Sequence, residues 1–559
     1  MPLNVSDVEL PKDFSIVEAA LDRPGVARHL AAVSQFVAAG NGELSLEEVK
    51  PLLRIVLNSV SRLYDPLCRR QATVLWNSIV GRGGKACHEG CLAVLTAAVK
   101  KVGKPQSFVV LFSWSCKLAS VAALVEGANL EGAGLKKLIH LQCSLVGRVA
   151  ALEDEKLLQG SFAKAGPLFT KYPDYFTKFV DELPEFKDAT ELAGALHLIT
   201  MQCLKKGNAE AAAAAKPKVI KCYTTSLLAT TQGKDGKKAS RELTLAFRGL
   251  MQSLSHDDFG ALFPEMVRIL RRTPEMYYTS IALSIRHLQI DPSRYLEQIA
   301  PTICEHVTKE QYREQTIELV MALLVQCSET SAVLELGSGV HKALSGKGTQ
   351  GLLKTWQEKI GPLSCLHKIL TVSKGKGILP LVDESFPTVV SLTEKENNEQ
   401  AKCAGLRLLG SCMRRGEAVS AALLKEVAKQ TEHNAVEVRR AALSAVREGM
   451  MQQNVHEACA SLAPALVKVV QTATKKPLFR GNGAMAFRVL LMLAKADDAA
   501  NNALNEAKLW AVVLSGESPL LALVGGGEGS AGAEATQEEL LALVEVLEEV
   551  LQEQPAVLA

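Results

Sequence analysis

Apolar residues recur at helical spacing along most of this chain. In the stretch NAVEVRRAALSAVREG, Val438, Ala441, Ala442 and Ala445 fall at i, i+3, i+4 and i+7, opposite Arg439, Arg440, Ser444, Arg447 and Glu448. The spacing predicts an amphipathic helix. Asn434 offers a first-turn cap, Glu437 a capping-box partner and Gly449 a permissive stop. A stripe built largely of alanine buries little area, at about 25 cal/mol per Å², so its neighbours must approach closely. Such neighbours stand on both sides. Val419, Leu423 and Val427 mark a helix upstream, and SLAPALVKVVQTA marks one downstream, with Pro464 near its start where a missing N–H costs least. Helix, short turn, helix is the pattern of an all-α solenoid.

The pattern repeats. GVARHLAAVSQFVAAG and LSLEEVKPLLRIVLNSVSRLY open the series, and DPLCRRQATVLWNSIV, KEQYREQTIELVMALLVQC and NNEQAKCAGLRLLGSC read as second helices of successive units. First helices carry an apolar residue, a proline and an aliphatic run, at Pro264, Pro301, Pro387 and Pro464. Their separations fit units of roughly 40 residues, the period of HEAT and armadillo repeats. Two stretches, Lys205–Lys218 and Thr231–Ser240, read as loops that divide the solenoid. The expected organisation is a partly ordered lead-in over 1–22, helical repeats over 23–204, a loop-rich junction over 205–240, further repeats over 241–524, and over 525–559 a disordered Gly-rich loop followed by an acidic terminal helix. On that last helix Leu540, Leu543, Val544, Leu547 and Leu551 form a stripe too apolar for an end cap, so the chain is expected either to pack back on itself or to be cut from something longer.

Composition agrees with stacked helices: 48% of residues are hydrophobic and only 5% aromatic, so Leu, Ala and Val do the packing. No apolar run is long enough and free enough of charge to span a membrane, and the amino terminus lacks a signal-peptide pattern. The thirteen cysteines are scattered, with Cys116, Cys143, Cys203, Cys327 and Cys403 inside apolar helical runs, which reads as reduced thiols in a cytosolic chain. From Asn501 onward ten Glu face one Lys, a net of −9, which leaves +12 on the first 500 residues of a chain whose total is +3. A basic body with an acidic tail suits a polyanionic partner such as RNA.

Motifs for chemistry are weak. Cys87-His88-Glu89-Gly90-Cys91 lacks the second ligand pair a structural zinc site needs, and reads as a helix start. The letters of a dinucleotide fingerprint at Gly346–Gly351 have helical flanks instead of the required strand, so an inter-helix loop is expected. No catalytic arrangement involves the eleven histidines, so neither an enzyme nor a cofactor is expected. Basic clusters remain: Lys100, Lys101 and Lys104; Lys234, Lys237 and Lys238; Arg271 and Arg272; Arg414 and Arg415; Lys475 and Lys476. Several fall at helix ends or turns. They are candidates to line one edge of a superhelix and meet phosphates, against the plainer reading as cations that complement helix dipoles.

Two long stretches are less generic: LSHDDFGALFPEMVRILRRTPEMYYTSIALSIRHLQIDPSRYLEQIAPTICEHV and VQCSETSAVLELGSGVHKALSGKGTQGLLKTWQEKIGPLSCLHKIL. With RLYDPLCRRQA, LFSWSCKLA, HLQCSLVGRVAALED and FRGNGAMAFRVLLMLAKAD in order, the chain resembles, from about residue 25 to at least 520, the amino-terminal region of the large HEAT-repeat translational activator of general amino acid control. The resemblance implies a cytoplasmic scaffold on the ribosome, touching rRNA and ribosomal proteins. Such a scaffold senses stalled or collided ribosomes and activates the kinase that phosphorylates the alpha subunit of translation initiation factor two. It also implies an ABC-type ATPase partner. The family's kinase-binding region lies downstream of the residues matched and is not expected here. The alternative is a general protein-binding solenoid, an adaptor or transport receptor.

Overall fold

The computed structural model describes residues 23–553 apart from 63–65, 119–120, 122–131, 204–208, 230–242, 346–352, 374–375, 416–420, 451–458, 460, 497 and 510–536. The expected lead-in over 1–22, the lysine loop and the Gly346–Gly351 motif lie outside the described residues. Among those described, the regular elements are helices, joined by one isolated bridge between Leu44 and Gly83. The chain divides into two compact units. One holds residues through Met266 with His287–Gln289, and the other holds Val267–Arg286 with the residues from Ile290 onward.

The second unit is an α-solenoid of two layers. Helices Pro274–Ile285, Arg313–Leu324, Trp356–Val372, Glu399–Arg415, Val436–Gly449 and Arg480–Ala496 pack each on the next. Leu296–His306, Thr330–Ser345, Leu379–Lys395, Ala421–Thr431 and Ala463–Lys475 form the facing layer. These are the second and first helices the sequence separates. Each interior proline of the facing layer, Pro301 and Pro387 among them, removes one backbone hydrogen bond. Pro464 stands in the first turn, where none is lost.

The alanine stripe behaves as its composition requires. Val438, Ala441, Ala442 and Ala445 are all buried. A Cβ added to Gly410 on the neighbouring helix would lie 2.8 Å from the Ala445 Cα, so the two backbones touch. Two expectations for this helix are corrected. The helix runs Val436–Gly449 with Ala435 as N-cap and no side-chain cap bond, so Asn434 does not cap it. Instead the Ala435 N–H donates to His433 Nδ1 at 3.0 Å. Arg439, expected on the solvent face, is buried, because its guanidinium turns back over the end of the preceding helix.

In the first unit, helices Arg23–Ala39, Pro66–Arg82, Pro105–Cys116, Gly132–Ala150 and Ala189–Cys203 follow one another in a layer. Here the few aromatics are concentrated. Trp76 and Trp114 stack with ring centroids 4.9 Å apart, and Phe169 meets Tyr175, Phe176 and Phe179 at 5.5 to 5.8 Å. The stretch Lys205–Lys218, expected as a loop, is helical from Ala209, within a helix that continues to Ala229, because a run of alanine has the highest helix propensity. The terminal helix Gln537–Glu553 exists as expected but is rotated from the expected stripe. It packs on Arg480–Ala496 through Ala542, Leu543 and Val546, while Leu540 and Val544 stay exposed. Arg488 pairs with Glu545 across that contact.

Candidate functional site

Apart from Lys104, the N-cap of Pro105–Cys116, the described basic clusters sit at carboxy-terminal ends of helices, where cations oppose the dipole and meet unsatisfied carbonyls. Arg271 and Arg272 end His256–Arg272, Arg414 and Arg415 end Glu399–Arg415, and Lys475 ends Ala463–Lys475 with Lys476 as its C-cap. Lys100 and Lys101 end Lys85–Lys101, and Lys104 precedes Pro105–Cys116. Lys234, Lys237 and Lys238 lie outside the described residues.

These clusters do not share one edge. Adjacent helices of the layer containing Glu399–Arg415 run parallel, since Gly410 meets Ala445 and Arg414 pairs with Glu448 at 3.4 Å, both late in their helices. Arg414 and Arg415 therefore lie on the rim formed by the carboxy-terminal ends of that layer. Lys475 and Lys476 lead through Pro477–Phe479 into the start of Arg480–Ala496, and Arg271 and Arg272 lead directly into Pro274–Ile285. Those four occupy the opposite rim, at the first and last members of the layer, and all four are exposed. Between them Glu314, Glu358, Glu399 and Glu437 stand in the first turns of the intervening helices. The rim is two basic ends with acidic positions between.

Some arginines are committed to structure. Arg415 donates through Nη2 to the Ser373 carbonyl, the C-cap of Trp356–Val372, and burial beside Arg414 holds its pKa below the ordinary value. Arg439 donates to the carbonyls of Glu432 and His433 and lies 4.0 Å from the Phe479 ring centroid; burial lowers its pKa too. Arg82 donates to Val37 O at 2.6 Å and to the carbonyls of Asn41 and Gly42, and Arg148 to Val99 O at 2.6 Å. An arginine at a helix end thus ties one helix to the end of another. Arg271 is used less fully, through Nε to Thr302 Oγ1 at 2.8 Å. Sequence reasoning missed this division of labour, because an amphipathic pattern marks a cation as outward whichever way its long stem bends.

Other chemistry-bearing residues are also held in packing. Cys87 Sγ faces the Ile79 carbonyl at 3.9 Å, and His88 Nε2 lies 3.1 Å from Val80 O. Among the described residues no group of His, Cys, Asp and Glu could hold a metal ion, and the described cysteines are free. Burial pushes the thiols of Cys116, Cys412 and Cys459 up to about 12, which keeps them protonated and unreactive. In the first unit a groove of about 430 Å³ runs between Glu155, Phe162, His197, Leu245 and Arg248. Burial brings the His197 imidazole down to about 4, so it is neutral at physiological pH.

Comparison with known proteins adds a family model that matches part of the chain. Residues 216–351 match the family model described as the amino-terminal part of the stalled ribosome sensor GCN1. The chain is 23% identical over 451 residues to the protein ILITYHIA of Arabidopsis thaliana, a match that covers 79% of this chain and 16% of the relative. It therefore spans about a sixth of that relative's length. Among solved structures, a Kap95p structure determined with RanGDP superposes over 99% of this chain and 67% of its own, at 12% identity and a TM-score of 0.56. That likeness establishes the HEAT-type solenoid fold. The resemblance read from the sequence, to the amino-terminal region of the large HEAT-repeat activator, is borne out by the family model and the plant relative.

Proposed function

We propose that this chain, whose residues 216–351 match the family model of the amino-terminal part of the stalled ribosome sensor GCN1, is a cytoplasmic ribosome-binding scaffold and not an enzyme. The family match is the observation that carries the reading. The exposed rim supports it: Arg271, Arg272, Lys475 and Lys476 present cations at two ends of one layer, in reach of a long polyanion that spans the acids between them. Lys234, Lys237 and Lys238 join this set on charge alone. The kinase of initiation factor two alpha and an ABC-type ATPase are the partners the family resemblance implies, and this chain contributes ribosome contact.

Sedimenting the purified chain with ribosomes tests the reading. Binding should weaken steeply between about 50 and 200 mM salt, as counterion release at phosphates requires. Absence of co-sedimentation at low salt would remove the ribosome. Binding unchanged across that range would favour the general peptide-binding solenoid instead.

A further inference from the structure

In the second unit, Trp356–Val372 and Glu399–Arg415 are neighbours in one layer, and a hollow of about 230 Å³ opens between them. It is lined by Ser364, His367 and Lys368 from the first helix and by Ala404 and Arg407 from the second. Ala404 is buried and ends at its Cβ, which leaves the room. Lys368 and Arg407 are both exposed, and neither stands in the last turn of its helix, so complementing a dipole is not their task. Three other cations of the same helices are already engaged. Lys359 pairs with Glu396 at 2.6 Å, Arg414 pairs with Glu448 at 3.4 Å, and Arg415 holds the Ser373 carbonyl.

His367 is fixed in the wall, its Nδ1 2.7 Å from Ser411 Oγ. Burial holds the His367 imidazole below its ordinary pKa, and the like charges of Lys368 and Arg407 push the same way, against Glu448. Two cations on different helices therefore bear on one point. Like charges so placed repel, and an anion between them relieves the cost. The lining also selects among anions. A phosphate monoester carries about −1.5 to −2 charge at neutral pH and three acceptor oxygens, which match two cations and the Ser364 hydroxyl. A carboxylate brings one charge and two oxygens. A nucleic acid strand brings single charges in a row and suits cations strung along a surface, whereas both of these line one hollow. The Arg407 guanidinium adds a planar fork that takes phosphate oxygens in pairs.

We propose that this hollow receives a phosphoserine or phosphothreonine of a partner protein, with Arg407 and Lys368 on the phosphoryl oxygens and the Ser364 hydroxyl donating to one of them. The site shares no residue with the rim of Arg271, Arg272, Lys475 and Lys476. The test is fluorescence anisotropy of the full chain, at about 50 mM salt, with a labelled Gly-Ala-phosphoserine-Ala-Gly peptide, its unphosphorylated counterpart and a labelled oligouridine. The phosphopeptide should bind about tenfold more tightly than its counterpart, the scale of a charge-assisted hydrogen bond, and inorganic phosphate should displace it. Arg407→Gln should weaken phosphopeptide binding about tenfold and Lys368→Gln severalfold, with helicity unchanged because both side chains are exposed. Lys475→Gln removes a cation elsewhere and should leave binding within about twofold of the parent chain. Equal affinity for the two peptides, no binding of either, or equal losses from Arg407→Gln and Lys475→Gln would overturn the proposal. So would a greater loss of oligouridine than of phosphopeptide binding in Arg407→Gln, which would assign the hollow to RNA.

Discussion

Phe169, Tyr175, Phe176 and Phe179 in the first unit, and Gly410 with Ala445 in the second, join helices by opposite means. The aromatic rings meet edge to face at centroid distances of 5.5 Å for Phe169 with Phe176 and Phe179, and fill a wide gap with bulk. The glycine and alanine close the gap altogether, leaving less than a methyl group's room between backbones. The wide contact is strong because of what its side chains contain. The narrow one is strong because of what its side chains lack. A mutation therefore breaks the first by removing atoms and the second by adding them.

The largest effect should come from placing charge in the narrow contact. Ala442→Asp buries a carboxylate with no partner and should cost about 4 kcal/mol or more, read by urea denaturation. A full-length variant with undiminished stability would contradict the assignment of that stripe to the core. Next, Phe179→Ala should leave a cavity in the wide contact and cost about 3–4 kcal/mol. The aromatic region also carries a pH signature the alanine region lacks. His197 sits 6.4 Å from Phe162 with its folded pKa brought down to about 4 by burial, against an ordinary value of about 6.5. The unfolded chain takes up that proton first, so stability falls as pH drops from about 6.5 toward 4, by up to about 3 kcal/mol. His197→Gln should remove that part of the acid sensitivity, and an identical pH slope in both proteins would show that the imidazole is not buried. Smallest of the four, Gly410→Ala should cost about 1–3 kcal/mol by overpacking, although alanine is the better helix former. A more stable Gly410→Ala variant would show that the helices stand farther apart.

The sequence made the narrow contact legible because its signal is periodic. Val438, Ala441, Ala442 and Ala445 announce both a helix and its buried face, and the prolines of the facing layer announce where first helices run. What periodicity misses is the direction of long or polar side chains. Arg439 and Arg415 read as surface cations and prove to hold helix ends, while His433 starts a helix that Asn434 was expected to cap. The terminal helix has apolar residues on more than one face, so its pattern left the rotation open, and burial of Ala542, Leu543 and Val546 goes with the rotation observed. Stretches that carry the family resemblance hold such ties. In HLQCSLVGRVAALED, Gln142 donates to Ser115 Oγ at 3.1 Å and Arg148 to Val99 O; in FRGNGAMAFRVLLMLAKAD, Asn482 donates to Val436 O at 3.3 Å. Irregular residues fix how particular helices meet, which is why they distinguish one HEAT solenoid from another.

The candidate site was legible only as a list of cations. Composition and spacing named Arg271, Arg272, Arg414, Arg415, Lys475 and Lys476, but only the parallel run of the helices separates the two rims. Reversing charge on the two rims in turn tests the account most directly. Arg272→Glu with Lys475→Glu and Lys476→Glu should lower co-sedimentation with ribosomes at about 50 mM salt at least tenfold and flatten its salt dependence, with helicity intact. Arg414→Glu, on the opposite rim, should leave sedimentation within about twofold of the parent chain. Equal losses from both rims, or undiminished binding by the triple variant, would contradict the placement of the ribosome contact.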